Sequence, residues 1–184
     1  MRPRGQRWDK SGLELQCLDT RCCNTYILAM PRTLRDDIQQ TKPFVSLRQE
    51  ALLNVMRTSA TIIDAVDDVL RPHGIGSTQY NVLRILRGAG SSGLCRNELR
   101  DRMLTRMPDV TRLLDRMEEA GLVARARDNE DRRMVSTRIT EAGLRLLDQL
   151  DAPLTELHQR RVGHLSDEQL SQLIDLLTLA RNPG

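Results

Sequence analysis

The sequence predicts a mainly α-helical fold with one small β-hairpin. Three observations carry that expectation. Aromatic residues make up only 2% of the 184 residues, so the core must be built from Leu, Ile, Val and Met, which suits packed helices better than a β-sandwich. Apolar residues recur at i, i+3, i+4 and i+7 over long stretches, the period of an amphipathic helix. One stretch reads instead as two extended runs around the tip Asp128-Asn129-Glu130-Asp131, the signature of a hairpin.

The elements follow in order. Residues 1–45 lack sustained periodicity and hold Arg2, Pro3, Arg4, Gly5, Pro31 and Pro43 among scattered polar residues. They read as an irregular N-terminal arm with a short helix around residues 34–40. Order begins at Ser46, an N-cap for a long helix carrying Leu47, Leu52, Val55, Met56, Ile62, Ile63, Val66 and Leu70. Pro72-His73-Gly74 ends it. Ser77 or Thr78 caps a second helix with Tyr80, Val82, Leu83, Ile85 and Leu86, and the run from Gly88 to Gly93 is a loop. A short helix over 96–103 turns Leu99 and Met103 inward. A break at 104–106 precedes a fourth helix, with Pro108 in its first turn. This helix buries Val110, Leu113, Leu114 and Met117 and closes at Gly121. After the hairpin, Thr140-Glu141-Ala142-Gly143 opens a fifth helix with Leu144, Leu147, Leu150, Leu154 and Leu157 on one side, kinked at Pro153. Ser166-Asp167-Glu168-Gln169 starts a last helix with Leu170, Leu173, Ile174 and Leu177.

Helix, short helix, turn, helix and hairpin in that order make a winged helix-turn-helix over about 75–140, flanked by long helices at about 46–71 and 141–181. The major groove is about 12 Å wide and admits one helix, while a helix packed behind it crosses the backbone and holds the reader in place. The fourth helix presents Arg106, Asp109, Thr111, Arg112 and Arg116 opposite its buried face. From Arg84 to Arg138 there are 13 arginines against nine acidic residues. Lys10 and Lys42 are the only lysines among 28 basic residues, and guanidinium forks suit phosphate and groove recognition.

The run from Val110 to Val123, Val-Thr-Arg-Leu-Leu-Asp-Arg-Met-Glu-Glu-Ala-Gly-Leu-Val, resembles the recognition helix and first wing strand of MarR-family regulators. Asp128 to Arg133 followed by Ile139 to Gly143 resembles their wing tip and next helix. The resemblance extends over about 46–181 and implies a MarR-type domain at 46–184 that binds double-stranded DNA. It places Arg106, Thr111 and Arg112 at the major groove, Arg133 in the minor groove, Asp131 as the acid bracing that wing, and Arg96 at phosphate. Thr105, Arg116 and Arg132 complete the expected DNA-facing set. Pro108 departs from the small residue that is more usual there.

The flanking helices carry more apolar surface than a small winged unit can cover, so the expectation is an intertwined homodimer, as the resemblance also implies. The resemblance further implies a ligand-responsive repressor acting on a pseudo-palindromic operator, with a small-molecule effector seated between the flanking helices and the winged unit. Tyr80 and Arg57 are among the residues that would line the effector pocket. Catalysis is not expected: His73 falls in a turn, His158 and His164 fall on different faces of a helix, and no phosphate loop, nucleophile elbow or H-E-x-x-H motif is present. Cys17, Cys22, Cys23 and Cys95 form no paired C-x-x-C set, so neither a metal nor a cofactor is expected. No apolar run approaches the roughly 20 residues of a membrane span, and Tyr26-Ile27-Leu28-Ala29-Met30 is too short for a signal core. A cytoplasmic protein is expected. Two alternatives stand beside the DNA reading: a winged-helix module that binds protein, and a regulator that senses oxidants through cysteine.

Overall fold

The computed structural model describes residues 32–105, 109–127 and 135–182. The chain divides into two compact units, one through Asn54 and one from Val55. The first holds helix α1 (Leu34–Asp37) and the start of helix α2 (Leu47–Leu70). α1 is a single turn, shorter than the sequence suggests. Thr33 caps it, with the Asp36 carboxylate accepting the Thr33 N–H at 3.0 Å. Ser46 caps α2 as expected: its hydroxyl accepts the Gln49 N–H at 3.2 Å, and the Gln49 side chain accepts the Val45 N–H at 2.8 Å. This reciprocal capping satisfies N–H groups that a helix start leaves without partners.

In the second unit α2 ends in a tight turn over Arg71–His73, and Gly74 takes the left-handed φ of 73°. Helices α3 (Ser77–Ala89), α4 (Arg96–Arg102) and α5 (Val110–Glu119) follow. The N-cap of α3 is Gly76, not Ser77 or Thr78. The Asp67 side chain, from α2, accepts the Ser77 N–H at 2.6 Å, so a tertiary contact replaces the local cap. α5 starts at Val110 with Asp109 as N-cap; Pro108, expected in its first turn, lies outside the described residues.

Strands β2 (Val123–Arg127) and β3 (Val135–Ile139) form the expected hairpin. A third strand, β1 (Leu94–Cys95), joins the other edge of β3, giving the antiparallel order β1-β3-β2. Leu94 pairs with Thr137 and Cys95 with Ser136. Gly93 makes this approach possible: its φ is 69°, and a Cβ there would sit 2.6 Å from the Thr137 carbonyl oxygen. Two residues are too few for a strand period to register in the sequence.

Helix α6 (Glu141–Val162) runs through Pro153 as one element, and α7 (Asp167–Arg181) follows. The inward face of α6 is Gly143, Leu147, Leu150, Leu154 and Leu157. Leu144 lies at its border, 36% exposed, because the buried positions of α6 alternate in steps of four and three, and the step back from Leu147 is four, which lands on Gly143. These leucines join Leu70, Val82, Leu83, Leu86, Leu99 and Met117 in one core, each fully buried aliphatic side chain contributing about 1.5–3 kcal/mol. α6 is therefore already committed to its own subunit. By contrast, α7 has no buried residue, and Val55, Met56, Ile62 and Ile63 of α2 are exposed. His164 lies in the turn after α6, not on a helix. No helix among the described residues is long and apolar enough to cross a membrane.

Candidate nucleic-acid interface

Helix α5 is two-sided because its residues are. Val110, Leu113, Leu114 and Met117 enter the core, and Thr111, Arg112 and Arg116 stay exposed. Its start is fixed by the Asp109 carboxylate, which accepts the Arg112 N–H at 3.0 Å. The same carboxylate lies 3.1 Å from Arg112 Nε, so in the free protein the guanidinium leans back on its own cap. Its end is fixed by paired bonds, Gly121 N–H to the Glu118 carbonyl at 2.8 Å and Leu122 N–H to the Met117 carbonyl at 2.9 Å. Gly121 takes the left-handed φ of 70° that this cap requires.

The turn before α5 is held from beneath. Asn81 of α3 is buried, and its Oδ1 accepts the Leu104 N–H at 3.1 Å. Its Nδ2 is buried without a partner among the described residues. Nothing in the sequence marks Asn81, which sits among the apolar residues of α3 as one more inward position.

The hairpin is tied to α5 by charge. Arg125 Nε donates to Glu118 Oε2 at 2.9 Å, its Nη2 lies 2.7 Å from Asp115 Oδ1, and its backbone N–H donates to Glu118 Oε1 at 3.0 Å. The hydrogen bonds from Arg125 hold the Glu118 carboxyl below the usual carboxylate range. The spacing of seven residues across the Gly121 turn is the sequence signal that could have disclosed this pair.

Another joint links the hairpin base to α6. The Thr140 hydroxyl donates to the Gly121 carbonyl at 2.7 Å and accepts the Gly143 N–H at 3.1 Å. Farther along α6, Asp151 receives both arms of the Arg87 fork from α3 at 2.8 and 2.9 Å, which lowers its pKa.

Of the residues expected at DNA, Arg96 and Thr111 line one recess of about 350 Å³, bounded by α4, α5 and the sheet, which Cys95, Asn97, Leu114, Arg125, Val135 and Thr137 also line. Arg112 and Arg116 lie on the exposed face of α5, and Thr105 is exposed in the turn before it. Arg96 and Arg116 have no carboxylate partner among the described residues. Arg106, Asp131, Arg132 and Arg133 lie outside the described residues. Among the described residues, no group of three or more His, Cys, Asp or Glu is placed to hold a metal ion.

A two-sided helix with exposed arginines, backed by a short helix and flanked by a hairpin, defines a winged-helix DNA-binding unit. The MarR family model matches residues 75–135. The crystal structure of a MarR transcription factor from Planctomyces limnophilus is 39% identical, with 74% of this chain and 99% of that one covered and a TM-score of 0.57. CouR from Rhodococcus jostii RHA1, solved with p-coumaroyl-CoA, is 28% identical over 77% of this chain and 98% of that one, with a TM-score of 0.65. The HTH-type transcriptional repressor IacR of Pseudomonas putida is 30% identical over 112 residues, which is 61% of this chain and 66% of that repressor. The chain belongs to the MarR family. It is a DNA-binding transcriptional regulator and not an enzyme.

Proposed function

We propose that the protein is a homodimeric, ligand-responsive repressor that acts in the cytoplasm on a pseudo-palindromic operator. One observation carries the DNA reading: α5 is braced at both ends while Thr111, Arg112 and Arg116 stay exposed along it. In this reading Arg112 reads a base edge in the major groove, with Thr105, Arg106, Thr111 and Arg116 around it. Arg96 grips phosphate at the start of α4. Arg133, braced by Asp131, enters the minor groove beside Arg132. Residues 46–184 act as the regulatory domain and 1–45 as an arm.

The dimer reading rests on the apolar residues that α2 and α7 leave exposed, among them Met56, Ile63, Ile174, Leu176 and Leu179. α6 contributes less to the seam than its leucine stripe suggests, since that stripe is buried in its own chain. An open recess of about 480 Å³ lies where α2 meets α6, with Ala65, Val69 and Leu157 beside Arg160, Arg161 and Asp68. An apolar floor with two arginines at the rim suits an amphiphilic anion as effector.

The test starts from duplexes that the wild-type protein selects from a random pool. Selected sites should be imperfect palindromes with half-sites about one turn, near 10 bp, apart. Arg112→Ala should cost about 1–3 kcal/mol per half-site and relax base preference there. Arg133→Ala should weaken binding to all sequences alike and flatten the salt dependence. Light scattering should give a dimer at micromolar concentration. Failure to enrich any duplex would remove the DNA reading, and a stable monomer would remove the dimer.

A further inference from the structure

We propose that Arg125 is a positioning residue for DNA recognition. With Glu118 and Asp115 it locks strand β2 to helix α5, so that the hairpin and the reading helix meet DNA as one body. The inference rests on the DNA reading above and concerns how that reading is made selective.

By sequence Arg125 looks like one more cation on a basic hairpin. Its surroundings say otherwise. The guanidinium faces two carboxylates one turn apart on α5, with Nε and Nη2 on Glu118 Oε2 and Nη2 also on Asp115 Oδ1. The other oxygen of Glu118 takes the backbone N–H of Arg125. One carboxylate thus holds both the main chain and the side chain of a strand residue. One cation against two anions leaves a local charge of −1, which repels phosphate. A residue so enclosed, its side chain 27% exposed, is poorly placed to grip the backbone of a duplex.

The lock has geometric consequences. α5 is fixed through its buried face, and its end runs into β2 through the Gly121 turn. A turn alone leaves a hinge between helix and strand. The Arg125 fork closes that hinge from the other side, seven residues from Glu118, and makes the angle between α5 and β2 a fixed quantity. Selective recognition needs both elements to reach their grooves at once. Binding to arbitrary sequence needs only charge. A Lys at this position would supply the charge as a single point and lose the divided contact of a planar fork.

Glu118→Gln separates positioning from simple electrostatics by sign. Removing a negative charge beside DNA should, by charge alone, strengthen binding to every duplex. Loss of the lock should instead lower affinity for the selected duplex on the order of tenfold, while a scrambled duplex of equal length binds as well or better. Arg125→Lys and Asp115→Asn should fall between wild type and Glu118→Gln. The exchange of Arg125→Glu with Glu118→Arg should recover part of the selectivity. Each protein is measured at two salt concentrations, with its melting temperature recorded. Should Glu118→Gln fail to fold, Asp115→Asn, which leaves both Glu118 contacts in place, carries the test with a smaller loss. Tighter binding to both duplexes by Glu118→Gln and Asp115→Asn would overturn the inference, as would wild-type selectivity in Arg125→Lys. A salt slope reduced by about one for Arg125→Ala on the scrambled duplex would also overturn it, by making Arg125 a phosphate contact. A wild-type protein that selects no duplex fails at the earlier step.

Discussion

Replacing Gly143 with alanine sets two known effects against each other, and the structure decides which wins. Alanine is favoured over glycine in a helix by at most about 1 kcal/mol, so α6 should gain from the change. A methyl group on Gly143, however, would lie 2.5 Å from the Leu122 carbonyl oxygen and 2.7 Å from Ile139 Cγ1. Ordinary carbon contacts begin near 3.5 Å. The Ile139 side chain can turn, but the Leu122 oxygen cannot, because it accepts the Thr140 N–H at 3.1 Å. Either that bond is lost or α6 moves away, dragging Leu147 and Leu150 out of register with the core. Overpacking of this kind costs about 1–3 kcal/mol, so the net change should be a loss of about 1–2 kcal/mol. For a domain of this size that is a fall of roughly 2–8 °C in melting temperature. Gly88→Ala in α3 is the control, because no atom of the described residues lies within 4 Å of its added methyl. It should raise stability by about 0.5–1 kcal/mol. Thermal unfolding followed by far-ultraviolet circular dichroism, at one fixed protein concentration, reads both. If Gly143→Ala melted at or above wild type, the close approach of α6 to the hairpin base would be wrong.

Asp109 has two roles that substitution can part. Asp109→Ala should lose the cap of α5 and destabilise by about 0.5–2 kcal/mol, while Asp109→Asn keeps a good cap. Both release Arg112 from its ion pair, so urea denaturation should separate the two variants while binding to random duplex tightens in both. Acid should weaken the fold through Asp151 and Glu118, whose carboxyls are lowered mainly by the side-chain hydrogen bonds from Arg87 and Arg125. A depressed carboxylate gives stability that is present above its ordinary value and lost as pH falls below it toward the folded value. Denaturation midpoints should therefore drop below about pH 4 less steeply in Asp151→Asn than in wild type. Equal slopes would show that the Arg87 fork carries no stability.

The sequence by itself determined the helices, the hairpin and the buried face of the reading helix. All of these are written in short-range periodicity and local caps: Ser46, Thr140 and Ser166 cap the helices that the apolar spacing outlines. Hydrophobic period is a property of neighbouring residues and needs no knowledge of the fold. The assignment of Arg112 to an exposed face follows from the same period, since the four apolar positions on α5 leave it no other side. What only the tertiary structure decided are contacts between residues far apart or too few to form a pattern. Strand β1 is two residues held by a glycine against β3. The cap of α3 comes from Asp67, ten residues back in α2. Arg125 counts as a free cation in a tally of charge, yet it is a brace once Asp115 and Glu118 are seen around it. The leucine stripe of α6 does not say by its spacing whether it faces its own core or another chain. That choice belongs to three-dimensional packing, where α3 packs on α6 and the α6 leucines join the common core, while the apolar residues of α7 stay uncovered.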